Sequence, residues 1–599
     1  MEPIPASLLA ARELTGPIIA MTIVLIAVYV PVGFQGGLTG ALFSEFAFTV
    51  VAAVTVSAIV ALTLSPMMSS KLLKSHTQNR TGWEERIVDF IDRQVFAIQR
   101  AYSKTLHGTL NYLPVTALFA VIILASIYFL YNSSNRELAP QEDQGIIITM
   151  STSAPDATLQ QRLVYADQVF NKFNKYPETD HVFQLHTQGQ SVAGMVLKPW
   201  DERTKTTTEL QPLVQQEMNE IAGVRVAAFQ PPPLPGSSGL PVQFVIGTTE
   251  SFEQLNTITQ QFMHEAQKSG MFIFLDKDLK VDQPQSQVDI DRDKAALLGL
   301  SMQDVGSSLA SILGGGYVNY FSMTGRSYKV IPQAQQTSRL NPDQLLNYHI
   351  RAADGATVPL STIASISTKT VPQSLNHFQQ LNSAIISGVP FPGVTVGHAL
   401  NTLKIIAAKI LPPGYSIDYG GQSRQLEQES NSFIFTFAFA LIIIFLALAA
   451  QFESFRDPLI ILVSVPMSIA GALIFIALGI GGATLNIYTE VGLVTLMGLI
   501  SKHGILIVEF ANIKQKEGMS KREAIESAAG IRLRPILMTT AAMVLGVLPL
   551  IFATGAGAVS RFNIGLVIAT GIAIGTLFTL FVVPAVYLMI GQNHSKLSL

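Results

Sequence analysis

A lysine stands near the middle of a long apolar run, Val491-Gly-Leu-Val-Thr-Leu-Met-Gly-Leu-Ile-Ser-Lys502-His503-Gly-Ile-Leu-Ile-Val508. At bilayer depth such a charge costs about 2.5–3.5 kcal/mol on insertion scales, so it must face a bundle interior and meet a partner. The alternative is a lysine that snorkels to the headgroups. Lys502 is about two helical turns from the nearer end of its run, farther than its side chain reaches. The next apolar helix begins Arg532-Leu-Arg534-Pro-Ile-Leu-Met-Thr539-Thr540 and brings a second cation and two hydroxyls. A buried lysine with a mobile proton points to a proton-coupled machine.

The rest of the chain suits a membrane. Hydrophobic residues make up 49% and charged residues 13%, against about 25% charged in soluble domains. A net charge of −2 gives no reason to expect nucleic-acid binding. With no cysteine, disulfides, thiolate metal sites and cysteine nucleophiles are excluded. Met1 leads into a short polar helix and then an apolar span, without the order of a signal peptide.

Eight segments are long enough to cross a core of about 30 Å, which takes ~20 helical residues. They lie near 16–34, 46–68, 113–131, 433–451, 458–478, 489–510, 536–554 and 564–590. The loop 69–112 carries Lys71, Lys74, Arg80, Arg86, Arg93, Arg100 and Lys104, and the loop 511–535 carries Lys514, Lys516, Lys521, Arg522, Arg532 and Arg534. The loops 35–45 and 479–488 carry neither Lys nor Arg. The positive-inside rule puts the two basic loops in the cytoplasm, both termini inside and the polar stretch 132–432 outside. In the first basic loop, Ile87, Phe90, Ile91, Val95, Ile98 and Tyr102 recur at helical spacing. A helix lying in the cytoplasmic interface and a soluble helix packed under the bundle both fit that pattern.

The exterior stretch repeats a pattern. A strand at 145–151, a helix at 157–174, strands near 181–186 and 193–198, a helix at 206–221 and a strand at 224–229 make a β-α-β-β-α-β, ferredoxin-like unit. After the turn-rich Pro231–Gly239 the order restarts. The strand 241–247, helix 252–267 and strand 271–275 form one half, and the strand 383–388, helix 395–409 and strand 415–419 the other. An insertion at 290–370 separates them. The expected division is two spans in 1–68, a cytoplasmic loop at 69–112, and a span at 113–131. A first module follows at 132–238, a second at 239–289 and 371–432 around the insertion, and five spans in 433–599.

Other signals carry less. Gly314-Gly315-Gly316 lacks the ending of a phosphate loop and reads as a helix stop. The ten histidines show no metal-ligand spacing, and His503 alone lies at membrane depth. Methionines scattered at 150, 195, 218, 263, 271, 302 and 323 read as core filler rather than a soft-metal path. No metal site and no catalytic residue emerges. Glu509, at the cytoplasmic end of its span, reads as an interface anchor or a partner for a basic residue.

The run Gly498-Leu-Ile-Ser-Lys502-His-Gly-Ile-Leu-Ile-Val-Glu509-Phe-Ala-Asn512, followed by Arg532–Thr540, resembles the resistance–nodulation–cell division (RND) efflux transporters, and more closely their hydrophobe/amphiphile branch. Val30–Gly40, Ala61–Met67, Glu137-Leu-Ala-Pro-Gln-Glu-Asp-Gln-Gly145, Leu197-Lys-Pro-Trp200, Gly314–Asn319, Ala450–Ser454 and Gly555-Ala-Gly557 fall in the expected order. The resemblance implies a polytopic α-helical membrane protein of the bacterial inner membrane. Its eight spans would match helices five to twelve of a twelve-helix bundle. Its periplasmic part would hold two porter modules and an inserted docking module.

It also implies proton relay through Lys502, Arg532 and Thr539, drive by the proton-motive force without a cofactor, and export of hydrophobic or amphiphilic molecules. The expected partners are a periplasmic adaptor and an outer-membrane channel, with a homotrimer when full length. An arm around Gly314–Met323 would reach a neighbouring subunit. Two departures matter. No adjacent acidic pair lies in these spans, so the family's paired proton-binding aspartates are missing and the chain alone should not couple protons to transport. The family's glycine-bearing switch loop reads Val182-Phe183-Gln-Leu-His186-Thr-Gln-Gly189-Gln-Ser-Val-Ala-Gly194, polar around Phe183, Gly189 and Gly194, the expected cleft residues. A non-transporting remnant or scaffold and a heavy-metal exporter of the same superfamily are the alternatives. The Lys502-His-Gly-Ile-Leu-Ile-Val-Glu509 run argues against the latter.

Overall fold

A computed structural model describes residues 3–72, 83–187, 191–352 and 354–593. Among them, eight helical segments are long and apolar enough to cross a membrane. The first two spans are α1 (Pro3–Gly33) and α2 (Gly37–Leu72). The expected short polar helix before the first span is instead its first turns, one continuous helix with Pro17 inside it. The amphipathic α3 (Trp83–Asn111) lies along later helices, and α4 (Leu113–Ser133) is the third span. On α3, Tyr102, Leu106 and Leu110 are buried, and Tyr102 Oη donates to the Leu580 carbonyl at 2.6 Å. Phe90, Ile91, Phe96 and Ile98 of the same helix stay exposed.

The chain then leaves the bundle. Strands β1 (Ile146–Ser153), β2 (Thr179–His186), β3 (Ser191–Leu197) and β4 (Val224–Phe229) form an antiparallel sheet in the order β2-β3-β1-β4. Helices α5 (Leu159–Phe173) and α6 (Thr207–Asn219) cover one face, where Ile147, Phe173, Met195, Leu210 and Met218 are buried. Thr206 and Glu209 close a capping box at the start of α6, satisfying amides that a helix end leaves open.

A second sheet holds β5 (Val242–Thr248), β6 (Phe272–Lys277), β13 (Asn376–Phe378), β14 (Leu381–Pro390) and β15 (Tyr415–Tyr419), with α7 (Phe252–Lys268) and α10 (Val396–Ile410) packed on it. Between its halves lie β7 (Val281–Ile290), α8 (Arg292–Leu297), α9 (Met302–Leu313), β8 (Asn319–Met323), β9 (Arg326–Val330), β10 (His349–Arg351), β11 (Thr357–Pro359) and β12 (Ala364–Pro372). The β7–β12 ladder runs from Val281 to Pro372, beyond the expected 290–370. The β8–β9 hairpin is exposed along its whole length, and Tyr320, Phe321 and Tyr328 are on it.

The chain returns through α11 (Gly421–Phe452), which starts beside β5 and continues unbroken into the membrane bundle. The next span runs from Arg456 to Ala477 as α12 (Arg456–Leu462) and α13 (Ser464–Ala477), joined at Val463 with helical backbone angles. The last three spans are α14 (Ile487–Lys516), α15 (Lys521–Ile551) and α16 (Ala558–Ile590). Without a hydrophobic drive between helices in lipid, close approach at small residues holds such bundles together. At Gly575 a Cβ would meet Ser468, whose hydroxyl donates to the Gly571 carbonyl at 2.6 Å.

The segment between α4 and β1 ties the two regions with three acids. Glu137 accepts from Thr484 Oγ1 at 2.5 Å, and Glu142 accepts from the Ser560 amide at 2.6 Å. Asp143 accepts from the Thr207 amide at 3.0 Å and pairs with Arg203 at 3.0 Å, whose guanidinium lies 4.2 Å from the Trp200 ring.

Candidate functional site

Helix α14 is the most enclosed span and packs against α1, α12, α13, α15 and α16. Asn486 starts it, its Oδ1 accepting from the amides of Tyr488 and Thr489 at 3.0 and 3.1 Å. Successive residues on a helix point about 100° apart, so Lys502 and His503 face different neighbours. His503 is fully buried between α15 and α16. Its Nε2 lies 3.5 Å from Thr539 Oγ1 and its Nδ1 3.3 Å from Thr576 Oγ1, which in turn lies 3.1 Å from Thr540 Oγ1. Four groups from three helices thus form one polar chain in an apolar bundle.

Lys502 lies on the stripe shared by Thr495 and Glu509, seven residues to either side. Tyr29 Oη of α1 meets Thr495 Oγ1 at 3.1 Å, and a Cβ on Gly16 of α1 would stand 3.1 Å from Glu509 Oε1. The stripe therefore follows α1. Lys502 is half-buried and has no hydrogen bond or ion pair among the described residues, which departs from the expected internal partner.

Arg532 is not brought to Lys502. Its guanidinium lies 4.3 Å from the Phe510 ring, within electrostatic reach of Glu509. Arg532 Nε and Glu509 Oε2 are buried without a hydrogen-bond partner. The cause is register. Because α14 and α15 run antiparallel, the Lys502–Thr539 level and the Glu509–Arg532 level are seven residues apart on each helix, about 10 Å. Thr539 belongs to the upper level and Arg532 to the lower. His503 and Thr540 join the upper level, although the sequence marks them only as a histidine at membrane depth and one of two hydroxyls, and Thr576 joins it with no sequence signal. A further available signal was the adjacency of His503 to Lys502 and of Thr540 to Thr539.

In the first sheet Phe183 and Gly194 meet as cross-strand partners. The Phe183 ring covers Gly194, so that a Cβ there would collide with it. Gly189 lies outside the described residues. Among its described neighbours, Arg162 Nη1 donates to the Thr187 carbonyl at 2.7 Å and His186 Nδ1 lies 3.0 Å from Ser191 Oγ. Gly194→Ala should lower unfolding stability by about 1 kcal/mol through overpacking against the half-exposed ring. Thermal unfolding of the double variant with Phe183→Ala should recover most of that loss. An unchanged midpoint in the single variant would show that the ring does not rest there.

A cavity of about 360 Å³ opens between the edges of the two sheets, lined by Asn219, Arg225, Gln267, Phe272 and Phe274. Arg225 spans this gap, donating to Asp276 Oδ1 and the Leu275 carbonyl, both at 2.9 Å. Phe183 stands on β2, at the far edge of its sheet from β4, roughly 14 Å away across three strand spacings. The expected cleft residues and this cavity are therefore separate.

The profile of the AcrB/AcrD/AcrF family matches residues 1–591. An uncharacterized transporter of Haemophilus influenzae is 43% identical, covering 99% of this chain and 58% of the relative. The multidrug/solvent efflux pump membrane transporter MepB of Pseudomonas putida is 31% identical, over 99% of this chain and 58% of the relative. The multidrug export protein AcrF of Escherichia coli is 30% identical, over 96% of this chain and 57% of the relative. The chain thus spans less than three fifths of the length of these relatives.

Proposed function

This chain belongs to the AcrB/AcrD/AcrF family of RND efflux transporters, and from that premise we propose that it forms the part of a proton-driven multidrug exporter carrying helices five to twelve. The observation that carries the reading is Lys502, a half-buried ammonium in the most enclosed span, without an ionic partner among the described residues. An ammonium in low dielectric favours a nearby carboxylate in its charged form. The acidic pair that the family supplies from its fourth helix would meet Lys502 when ionised and release it when protonated. The His503–Thr539–Thr576 chain beside it offers hydroxyl and imidazole groups able to rearrange with each change. Arg532, one level lower, would hold Glu509 and set the field at the cytoplasmic end.

The two sheets act as porter modules and the β7–β12 insertion as a docking module, on the periplasmic side of the inner membrane. Small hydrophobic or amphiphilic molecules would pass between the sheets. The exposed aromatic hairpin β8–β9 suits contact with a neighbouring subunit of a homotrimer, since aromatics are favoured at interface cores. A periplasmic adaptor and an outer-membrane channel complete the path across the second membrane.

The test co-expresses this chain with a four-helix half bearing the acidic pair, in cells without exporters of their own. Efflux of a fluorescent amphiphile is expected, and it should collapse when a protonophore removes the gradient. Efflux indifferent to the protonophore, or none despite assembly of both parts, would refute the proton-driven reading.

A further inference from the structure

A second group of buried acids lies at the end of the bundle beneath the sheets, away from the Lys502 level. Glu490, in the first turn of α14, is 8% exposed, and its carboxyl group has no hydrogen bond or ion pair among the described residues. A carboxylate there commonly caps the helix, but Asn486 Oδ1 already takes the amides of Tyr488 and Thr489. Glu490 instead lines a cavity of about 10 Å³ together with Arg136, Glu137 and Glu429. That is room for about one water-sized guest.

The other walls are occupied. Glu429 of α11 accepts from the Leu38 amide at 2.9 Å and from Thr39 Oγ1 at 2.6 Å, at the start of α2. Glu137 is held by Thr484 Oγ1. Arg136 leans over the Tyr131 ring of α4 at 4.4 Å. Of three carboxyl groups around one small cavity, two are anchored and one has no donor.

A route leads to it. Arg136 and Leu426 also line a larger cavity of about 390 Å³, which reaches His398, Lys404 and Glu427. The Lys404 and Glu427 side chains at its wall are 36% and 38% exposed. Arg136 and Leu426, which line both cavities, therefore stand between solvent at that wall and Glu490.

We propose that Glu490 takes up a proton from the sheet side of the membrane, a second proton-holding site on the helix that carries Lys502. Hydronium gives its proton to the carboxylate and leaves as water. The two sites are twelve residues apart (490 to 502), about 18 Å of helix. The charged and titratable groups facing Glu490 are Arg136 and Glu137 on the strap, Tyr131 on α4 and Glu429 on α11. Burial pushes the Glu137 carboxyl of the neighbouring wall up to about 7. The direction of uptake rests on the proton-driven reading. The existence of the site does not.

The test uses the 599-residue chain in lipid nanodiscs and a hydrophobic carbodiimide, which adds to protonated carboxyl groups in apolar surroundings. Peptide mass spectrometry should find the adduct on Glu490 at about pH 6 and several-fold less at about pH 9. Glu490→Gln should lose the adduct. Glu490→Asp, which keeps the acid, should retain it, so that loss in the first variant reports the acid and not the fold. Lys502→Ala should be labelled as well as wild type, which separates this site from failure of the transport reading. No adduct on Glu490 while Glu137 reacts, labelling indifferent to pH, or an unlabelled Glu490→Asp would each overturn the proposal. Several-fold protection by sodium at constant pH would also overturn it, marking a metal-cation site instead.

Discussion

Lys502→Ala is expected to reduce drug resistance to that of cells without the exporter, once the chain is assembled with its four-helix half. Expression and trimer assembly should stay at wild-type levels. The two halves of this expectation have different physical grounds. Transport fails because the alanine offers no positive charge to exchange between protonated and ionised carboxylates. Assembly survives because the ammonium has no ion pair among the described residues, so the packing of α14 on its neighbours is untouched and only the contact with the acidic pair of the other half is lost. Lys502→Arg should not restore efflux, since a planar guanidinium that never gives up its charge is not equivalent to an ammonium. Drug susceptibility assays and native mass spectrometry measure the two outcomes. Wild-type efflux from Lys502→Ala would refute the relay. Loss of assembly together with efflux would show that Lys502 holds helices together and does nothing else.

Arg203→Ala should produce the largest loss of stability in the extramembrane region, about 3–5 kcal/mol, the usual cost of breaking a buried ion pair by removing one partner. The Arg203 side chain is 2% exposed and that of Asp143 is 8% exposed, so water cannot replace either. Asp143 would keep the amides of Gly145 and Thr207 but face them without its counter-charge. Asp143→Asn leaves the opposite defect, a buried guanidinium on the Trp200 ring without its counter-charge. A double variant, Asp143→Asn with Arg203→Met, should be less destabilised than the two single losses added together, as coupled sites are not additive. Denaturant unfolding followed by Trp200 fluorescence can check this, because the indole is part of the contact. Additive losses would mean that the pair contributes nothing as a pair.

Much of this architecture was legible in the residues because hydropathy and helical period report directly on membrane burial. All eight spans were visible that way, although their ends were not: the first was placed near 16–34 after a separate polar helix, whereas one helix runs from Pro3 to Gly33. The strand β7 was not visible at all. Its Asp282-Gln-Pro-Gln-Ser-Gln287 core offers no apolar alternation, and it is held by pairing with β12 rather than by a buried face. At the candidate site, Lys502 and Thr539 could be named from sequence, but the partner of each could not. Which turn of α14 meets which turn of α15 depends on a tertiary register that no local pattern encodes. That register puts His503 against Thr539 and puts Arg532 against Phe510. The sheet residues show the same limit, since Phe183 and Gly194 meet through strand pairing while the cavity between the sheets involves neither.

The unbroken course of α11 has a mechanical consequence. Its first turn is fastened to the second sheet, where Ser423 Oγ accepts from the Gln243 amide at 3.0 Å, and its lower half lies against α1 and α12. Its 32 residues make a rod of about 48 Å, and a tilt of about 10° at one end sweeps the other by roughly 8 Å. No glycine or proline interrupts it after Gly421 to absorb such a swing. The sheet and the span are thus two ends of one lever, and any rocking above the bilayer must reappear as sliding among the helices within it.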